Sequence, residues 1–139
     1  MLHPYFEQAP PKSLDRLDFA AVLESSGLQA LSAADGAATL AAFTVASVVR
    51  AHVLLPQAPV RWLVCGGGRH NPALMAGLRS ALGVPVDPVE AVGWNGDALE
   101  AQCFGFLAVR VAAGLPLSFP GTTGVPHPMP GGRLTQPAA

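Results

Sequence analysis

A run of three glycines before a helix start is the part of this chain best suited to binding a ligand. Gly66, Gly67 and Gly68 follow the apolar segment 60–64 and precede Asn71 and Pro72. Asn is a favoured N-cap, and Pro is preset for the first helical turn. A loop without side chains lets backbone approach a ligand, and the free N–H groups of a helix start favour a phosphate or a ribose hydroxyl. A tight turn that binds nothing explains the same residues equally well.

The spacing of these glycines excludes two familiar nucleotide motifs. It matches neither the dinucleotide-binding fingerprint nor the Walker P-loop, and no Lys-Ser/Thr pair follows. The glycines alone therefore do not identify the ligand.

Three carboxylates form a second candidate. Glu90, Asp97 and Glu100 flank the loop 91–96, where they could hydrogen-bond the hydroxyls of a sugar. The competing interpretation is structural, because an Asp N-cap with a Glu three residues later is a capping box. Local chemistry favours the capping box for Asp97 and Glu100.

Two further polar segments have a functional and a structural interpretation. Lys12 and Ser13 could contact an anion, although a solvated lysine is the simpler expectation. Thr122, Thr123 and Gly124 could hold a hydroxylated ligand, but a turn is favoured.

Metal binding and nucleophilic catalysis find no support in the sequence. The four histidines are scattered without ligand spacing, and the serines and cysteines form no local catalytic signature. Cys65 and Cys103 lie in apolar surroundings and are predicted to be reduced packing residues.

The composition bounds the class of protein. The 139 residues suffice for one core, half of them are apolar, 12% are charged and the net charge is −1. This balance excludes disorder and offers no basic surface for nucleic acid. The longest apolar run, 36–49, is too short to span a membrane, and residues 1–7 do not resemble a signal peptide, so we expect a cytoplasmic protein.

The apolar pattern predicts the elements that position these residues. Helices are expected at 14–24, at about 35–54, at 72–82 and at 97–113, the last apolar nearly all round and therefore buried. A strand at 61–65, covered on both faces, and a second at 84–86 would form a parallel β-α-β unit. Residues 1–13 are predicted to be an extended lead-in, 14–116 one α/β domain, and 117–139 a Pro/Gly-rich tail without regular structure.

The succession of motifs resembles the C-terminal part of the anhydro-N-acetylmuramic acid kinase family. The resemblance covers residues 2 to about 132. It rests most specifically on three elements in the family's order and spacing: Pro10-Pro11-Lys12-Ser13, with Arg16 and Phe19 after it; Cys65-Gly66-Gly67-Gly68-x-x-Asn71; and Asp97-x-x-Glu100-Ala101.

The resemblance implies a fold, an activity and a set of site residues. The fold would be the C-terminal ribonuclease H-like domain of the sugar kinase/Hsp70/actin type, incomplete, with three to four helices around a short, mainly parallel sheet. Members use ATP with Mg²⁺ to open the 1,6-anhydro ring of anhydro-N-acetylmuramic acid and phosphorylate O6 in cell-wall recycling. Gly66, Gly67, Gly68 and Asn71 match the loop near the adenosine end of the nucleotide, and Glu100 matches a position facing the sugar.

The sequence also departs from the family. The family's Gly-Thr-Ser-x-Asp-Gly phosphate loop and the Asp-Thr-Gly-Pro-x-Asn motif that carries the catalytic base are both absent from it. Leu14-Asp15 replaces a usual Thr-Gly, and the tail after Gly124 matches poorly. We therefore expect no catalytic residue in this chain, a missing N-terminal kinase domain as its partner, and no activity alone. A non-catalytic nucleotide- or partner-binding module and a decayed remnant remain alternatives, and a homodimer is left open.

Overall fold

The computed structural model describes residues 3–15 and 17–136. The expectations that touch Met1, Leu2, Arg16 and Pro137 lie outside these residues. The helices are α1 (Ala20–Ser25), α2 (Ala33–His52), α3 (Pro72–Leu82), α4 (Leu99–Ala112) and α5 (Pro120–Thr123), and the strands are β1 (Trp62–Val64) and β2 (Val86–Pro88). The mixed α/β class is confirmed.

The β-α-β unit forms around α3, whose ends are set by local caps. The Asn71 side chain accepts hydrogen bonds from the backbone N–H groups of Ala73 and Leu74, and Gly83 adopts φ 67° just past the last turn. β1 and β2 pair in parallel, with Trp62 opposite Val86. The predicted bounds of α3 and the parallel pairing are therefore confirmed.

The core lies between α2, α3 and the two strands. Met75, Leu78, Leu82 and Val86 are buried, and apolar side chains of α2 and β1 pack against them. Gly77 permits this close approach, because a Cβ atom there would lie 2.9 Å from Cγ2 of Val45 on α2.

β1 itself is only half-buried, so the expected cover on both faces is wrong. β2 begins at Val86 instead of Val84, and its three residues pair with the three residues of β1.

The described part of the lead-in, residues 3–13, is not simply extended. Pro4–Glu7 forms a 3-10 turn that buries Phe6, and the Phe6 ring packs against Phe19 and Phe43 at centroid distances of 5.9 and 6.3 Å. The helix predicted at 14–24 starts only at Ala20, because the Asp15 and Asp18 carboxylates bond the backbone N–H groups of residues 17 and 15 and hold a turn there.

The two C-terminal expectations are also corrected. None of the described residues of α4 is buried, and Phe104, Phe106 and Val109 are more than half exposed. α2 and α3 occupy the core face of this small sheet, and α4 contacts the chain leading into the tail instead, where Arg110 Nε donates to the Pro116 carbonyl oxygen at 2.7 Å. That tail contains α5 and an antiparallel bridge between Ser118 and Met129, so it is not without regular structure.

Candidate functional site

The glycine loop, Cys65–Gly68, carries the chain from the end of β1 into the turn before α3. Gly66 has φ 71° and ψ −178°, a conformation that L side chains rarely adopt. No heavy atom lies within 4 Å of a Cβ atom built on Gly66 or on Gly67. The loop therefore borders open space on the side where these side chains would be. The second half of the loop belongs to a 3-10 turn, Gly67–His70, and Asn71 follows as the N-cap, so the glycines do not lead directly into α3.

The loop forms one wall of a cleft of about 270 Å³. Gly96, Asp97, Leu99 and Glu100, at the start of α4, form the other wall. The structure thus brings together the predicted site residues Gly66, Gly67 and Glu100, which are far apart in sequence.

Gly68 and Asn71 lie beside this cleft and are not among the residues that line it. A Cβ atom on Gly68 would meet the Leu74 side chain at 3.9 Å, and the Asn71 carboxamide oxygen caps α3. Both residues therefore shape the junction of the loop with the helix.

The capping box predicted for Asp97 and Glu100 is wrong. α4 begins at Leu99, and Ala98 at its N-cap supplies no side-chain hydrogen bond. The side chain of Asn95 caps the preceding turn instead, accepting from the backbone N–H groups of Asp97 and Ala98 at 3.0 and 3.2 Å. The Asp97 carboxylate is committed elsewhere, while Glu100 lines the cleft.

Arg69 is the residue that holds the Asp97 carboxylate. Its side chain is only 3% exposed, and its Nη2 lies 2.9 Å from Asp97 Oδ1. Its Nε donates to Glu90 Oε1 at 2.9 Å and its Nη1 to the Gly66 carbonyl oxygen at 2.9 Å. Glu90 also accepts from the Gly96 N–H, so this carboxylate, proposed as a sugar ligand, is turned toward Arg69. Sequence reasoning missed Arg69, and its only signal was an arginine directly after the glycines.

The pKa values follow from these contacts. The hydrogen bond from Arg69 lowers the pKa of Asp97 against the opposing effect of burial. Hydrogen bonds from its own backbone, from Arg69 and from the Gly96 N–H lower the pKa of Glu90. Burial alone would lower the pKa of Arg69, but its hydrogen bonds to Asp97 and Glu90 raise it overall. All three groups are thus held in their charged forms.

We expect this cluster to make folding stability depend on acid pH. A carboxylate whose pKa is lower in the folded state contributes stability above its unfolded value, and that contribution is lost as the pH falls through the folded value. The ordinary values are 3.8 for Asp and 4.5 for Glu, so the contribution is complete above about pH 5 and declines below pH 4. Thermal unfolding between pH 6 and pH 3 measures it.

The loss of folding stability at acid pH should be modest and should become smaller with added salt. The Glu90 and Asp97 side chains are 45% and 75% exposed, so solvent and salt screen their charges. In Arg69→Met the decline should become smaller, because Asp97 loses the hydrogen bond that lowers its pKa most, whereas Glu90 keeps its backbone hydrogen bonds. Arg61→Met is the control, since the Arg61–Asp87 pair is exposed and lies outside the cluster. An equal acid decline in Arg69→Met and the wild type would contradict this assignment.

The two remaining polar segments of the sequence meet in space. Lys12 and Ser13 share a pocket of about 250 Å³ with Thr122 and Thr123. Lys12 is half-buried, so the expectation of a solvated lysine is wrong. Its Nζ donates to the Tyr5 carbonyl oxygen at 2.7 Å, and the Thr122 hydroxyl donates to the Phe119 carbonyl oxygen at 3.0 Å. These polar atoms stabilise the two segments, in keeping with the favoured turn at 122–124.

Cys65 and Cys103 are free thiols, as expected, but both are exposed, so neither is a packing residue. Within the described residues, no group of three His, Cys, Asp or Glu side chains is arranged to hold a metal ion. In residues 3–15 and 17–136, no helix has the length and apolarity needed to cross a membrane.

The sequence matches known proteins over almost its whole length. The sequence model of one family, described as anhydro-N-acetylmuramic acid kinase, matches residues 1–136. Curated proteins of that name are 60% identical over 134 residues in Acidiphilium cryptum, 62% over 130 residues in Rhodospirillum rubrum and 58% over 134 residues in Rhizobium rhizogenes. These matches include 96%, 94% and 96% of this chain but 37%, 34% and 35% of the relatives. The chain thus spans about a third of the length of the curated relatives it matches.

Proposed function

This chain belongs to the anhydro-N-acetylmuramic acid kinase family, and we propose on that premise that it is the C-terminal part of such a kinase and supplies one side of the nucleotide site. The observation that carries the proposal is the cleft in which Gly66 and Gly67 face Glu100. The family is one of kinases, so ATP is the phosphoryl donor. The proposed fold is the ribonuclease H-like domain of the sugar kinase/Hsp70/actin type.

The residues of the cleft fit the adenosine end of ATP better than its phosphates. The open space beside Gly66 and Gly67 admits a ribose or a base against the backbone. The charged side chains that line the cleft are the carboxylates of Asp97 and Glu100, which accept hydrogen bonds from hydroxyl groups and repel phosphates. The triphosphate and its Mg²⁺ would therefore be held by the remainder of the enzyme, because, among the described residues, no Lys or Arg lines this cleft and no group of three His, Cys, Asp or Glu side chains is arranged for a metal ion.

Glu100 has a second possible partner in the same cleft. The position it matches in the family faces the sugar, and a carboxylate is an equally good acceptor for a sugar hydroxyl. We propose the hydroxyl of the amino sugar and that of the ribose as alternative partners of Glu100, because the sugar meets ATP at its γ-phosphate and not at its adenosine end. Gly66–Gly68 and Asn71 form the nucleotide side in both cases.

The proposed reaction joins hydrolysis to phosphoryl transfer. Water adds to C1 of anhydro-N-acetylmuramic acid, the C1–O6 bond breaks, and O6 takes the γ-phosphoryl group, which leaves ADP. The proton of the attacking water passes to a base in the remainder of the enzyme. The product is N-acetylmuramic acid 6-phosphate, formed in the cytoplasm during peptidoglycan recycling, and nucleic acid and membrane have no part in the proposal.

A chimaera tests this proposal. This chain replaces the 134 matched residues of the Acidiphilium cryptum relative, to which it is 60% identical. We expect ADP release that depends on anhydro-N-acetylmuramic acid, at a rate within about tenfold of the relative, since a tenfold change corresponds to only about 1.4 kcal/mol in the barrier. Mass spectrometry identifies the phosphorylated sugar, and the size of the active species decides whether it is a homodimer.

The relative itself is the positive control, and the relative without its matched segment is the negative one. A folded chimaera that binds ATP and the sugar but releases no ADP would contradict the kinase proposal. That result would favour the alternative of a non-catalytic binding module.

A further inference from the structure

Arg69 links the two walls of the cleft without lining it. Its guanidinium donates to the Gly66 carbonyl oxygen in the glycine loop and pairs with Asp97 in the acidic turn, Asn95–Asp97. The residues that line the cleft include Gly66 and Asp97 but not Arg69. Arg69 therefore acts on the shape of the cleft through the lining residues it bonds, Gly66 and Asp97, and through Glu90, which holds the Gly96 N–H.

The chemistry of the side chain explains why an arginine is needed here. A guanidinium offers five N–H donors in one plane, so it can bond three acceptors in different directions at once. Arg69 bonds Glu90, Gly66 and Asp97, each at 2.9 Å. Lysine carries its charge on a single nitrogen and cannot reproduce this fork. Without the guanidinium, the Glu90 and Asp97 carboxylates would repel each other across the vacated space.

The backbone around Arg69 is fitted to it. A Cβ atom on Gly96 would lie 2.7 Å from Arg69 Cζ and 2.8 Å from Glu90 Oε1, so only glycine leaves room for the ion pair. The Gly66 N–H donates directly to the Gly96 carbonyl oxygen at 3.3 Å. The two walls are thus joined by a long backbone hydrogen bond, by Arg69 and by the looser contact of His70 Nε2 with Asp97 Oδ1 at 3.7 Å.

We propose that Arg69 is a positioning residue that fixes the glycine loop against the acidic turn and so sets the width of the nucleotide cleft. The inference that this width serves a nucleotide rests on the proposed function. The positioning itself rests on the contacts of Arg69 alone.

The test compares Arg69→Met with Arg61→Met in this chain. Arg61→Met breaks an Arg–Asp pair of the same type, with a distance of 2.8 Å, away from the cleft. Amide NMR shifts and hydrogen exchange should change at Gly66, Gly67 and Gly96 in Arg69→Met and stay unchanged at Met75 and Leu78 in the core. Arg61→Met should leave all five amides unchanged. Unaltered cleft amides in a folded Arg69→Met would overturn the proposal.

A milder variant keeps the test decisive if Arg69→Met does not fold. Asp97→Asn removes one anchor of Arg69 from a side chain that is 75% exposed, so it should fold. The amide signals of Gly66, Gly67 and Gly96 should shift in Asp97→Asn. In Arg69→Lys, the same signals should lie between their positions in the wild type and in Arg69→Met. Two results would refute the role given to the guanidinium fork: cleft amide shifts that are unchanged in Asp97→Asn, or wild-type amide shifts in Arg69→Lys.

Adenosine titration separates this inference from the proposed function. In the chimaera, where both sides of the nucleotide site are present, we expect Arg69→Met to weaken adenosine binding by about tenfold, because the two walls lose the side chain that holds them together. If the wild-type chimaera binds no adenosine, the proposed nucleotide site is wrong, while the amide comparison in this chain still decides the positioning role. If both proteins bind it equally, Arg69 does not position the cleft.

Discussion

This chain alone should release no ADP above the blank when ATP, Mg²⁺ and anhydro-N-acetylmuramic acid are supplied together. Phosphoryl transfer needs a base for the attacking water and groups that hold the phosphates and their metal ion. Neither family motif that supplies these parts occurs in the sequence. The charged side chains lining the cleft are the carboxylates of Asp97 and Glu100, and carboxylates repel a triphosphate.

A coupled assay of ADP release measures this prediction, with the chimaera containing this same chain as the positive control. The expected contrast is turnover in the chimaera and none in the isolated chain. Substrate-dependent turnover by the isolated chain would show that a base and a phosphate site exist within these 139 residues, and the assignment of both to the rest of the enzyme would then be wrong.

Gly67→Val in the chimaera should weaken ATP binding by about tenfold to a hundredfold, which corresponds to about 1.4–2.8 kcal/mol. A Cβ atom on Gly67 meets no protein atom within 4 Å, and the φ of Gly67 lies outside the left-handed region. The branched side chain is therefore tolerated by the fold and occupies the space that the nucleotide is proposed to fill. Titration calorimetry with ATP measures the loss, and the melting temperature should stay nearly unchanged.

Gly105→Val is the matched control for this substitution. Gly105 lies in α4 and also has no heavy atom within 4 Å of a built Cβ atom, but it does not line the cleft. The Gly105→Val substitution should leave the affinity of the chimaera for ATP unchanged. Equal affinity in Gly67→Val and the wild type would mean that the glycine loop is only a turn between β1 and α3.

The exposed face of α4 shows why apolarity alone did not predict burial. The composition of α4 correctly indicates a helix, but a helix is buried only where another element packs on it. Phe104 and Phe106 remain 64% and 60% exposed, since α2 and α3 already cover the core face of the strands. Which apolar helix reaches the core is a property of the packing.

What the sequence determined by itself is local. The bounds of α3 follow from Asn71, Pro72 and Gly83, because caps and helix stops act between residues within one turn of each other. The family was also recognisable from the order of its motifs, most specifically the glycine loop, the segment Pro10–Ser13 and the helix start Asp97–Ala101.

Only the tertiary structure decided how the cleft is held together. Arg69 pairs with Glu90 and Asp97 across loops whose separation in sequence gives no sign of contact. Asp97 therefore does not form the capping box that its spacing to Glu100 had indicated, and the Asn95 side chain caps the turn instead. An unpaired charge is costly to bury, so the buried Arg69 requires charged partners. The free energy of that pairing outweighs that of one local hydrogen bond at a helix end. That long-range requirement is visible only after the chain has folded.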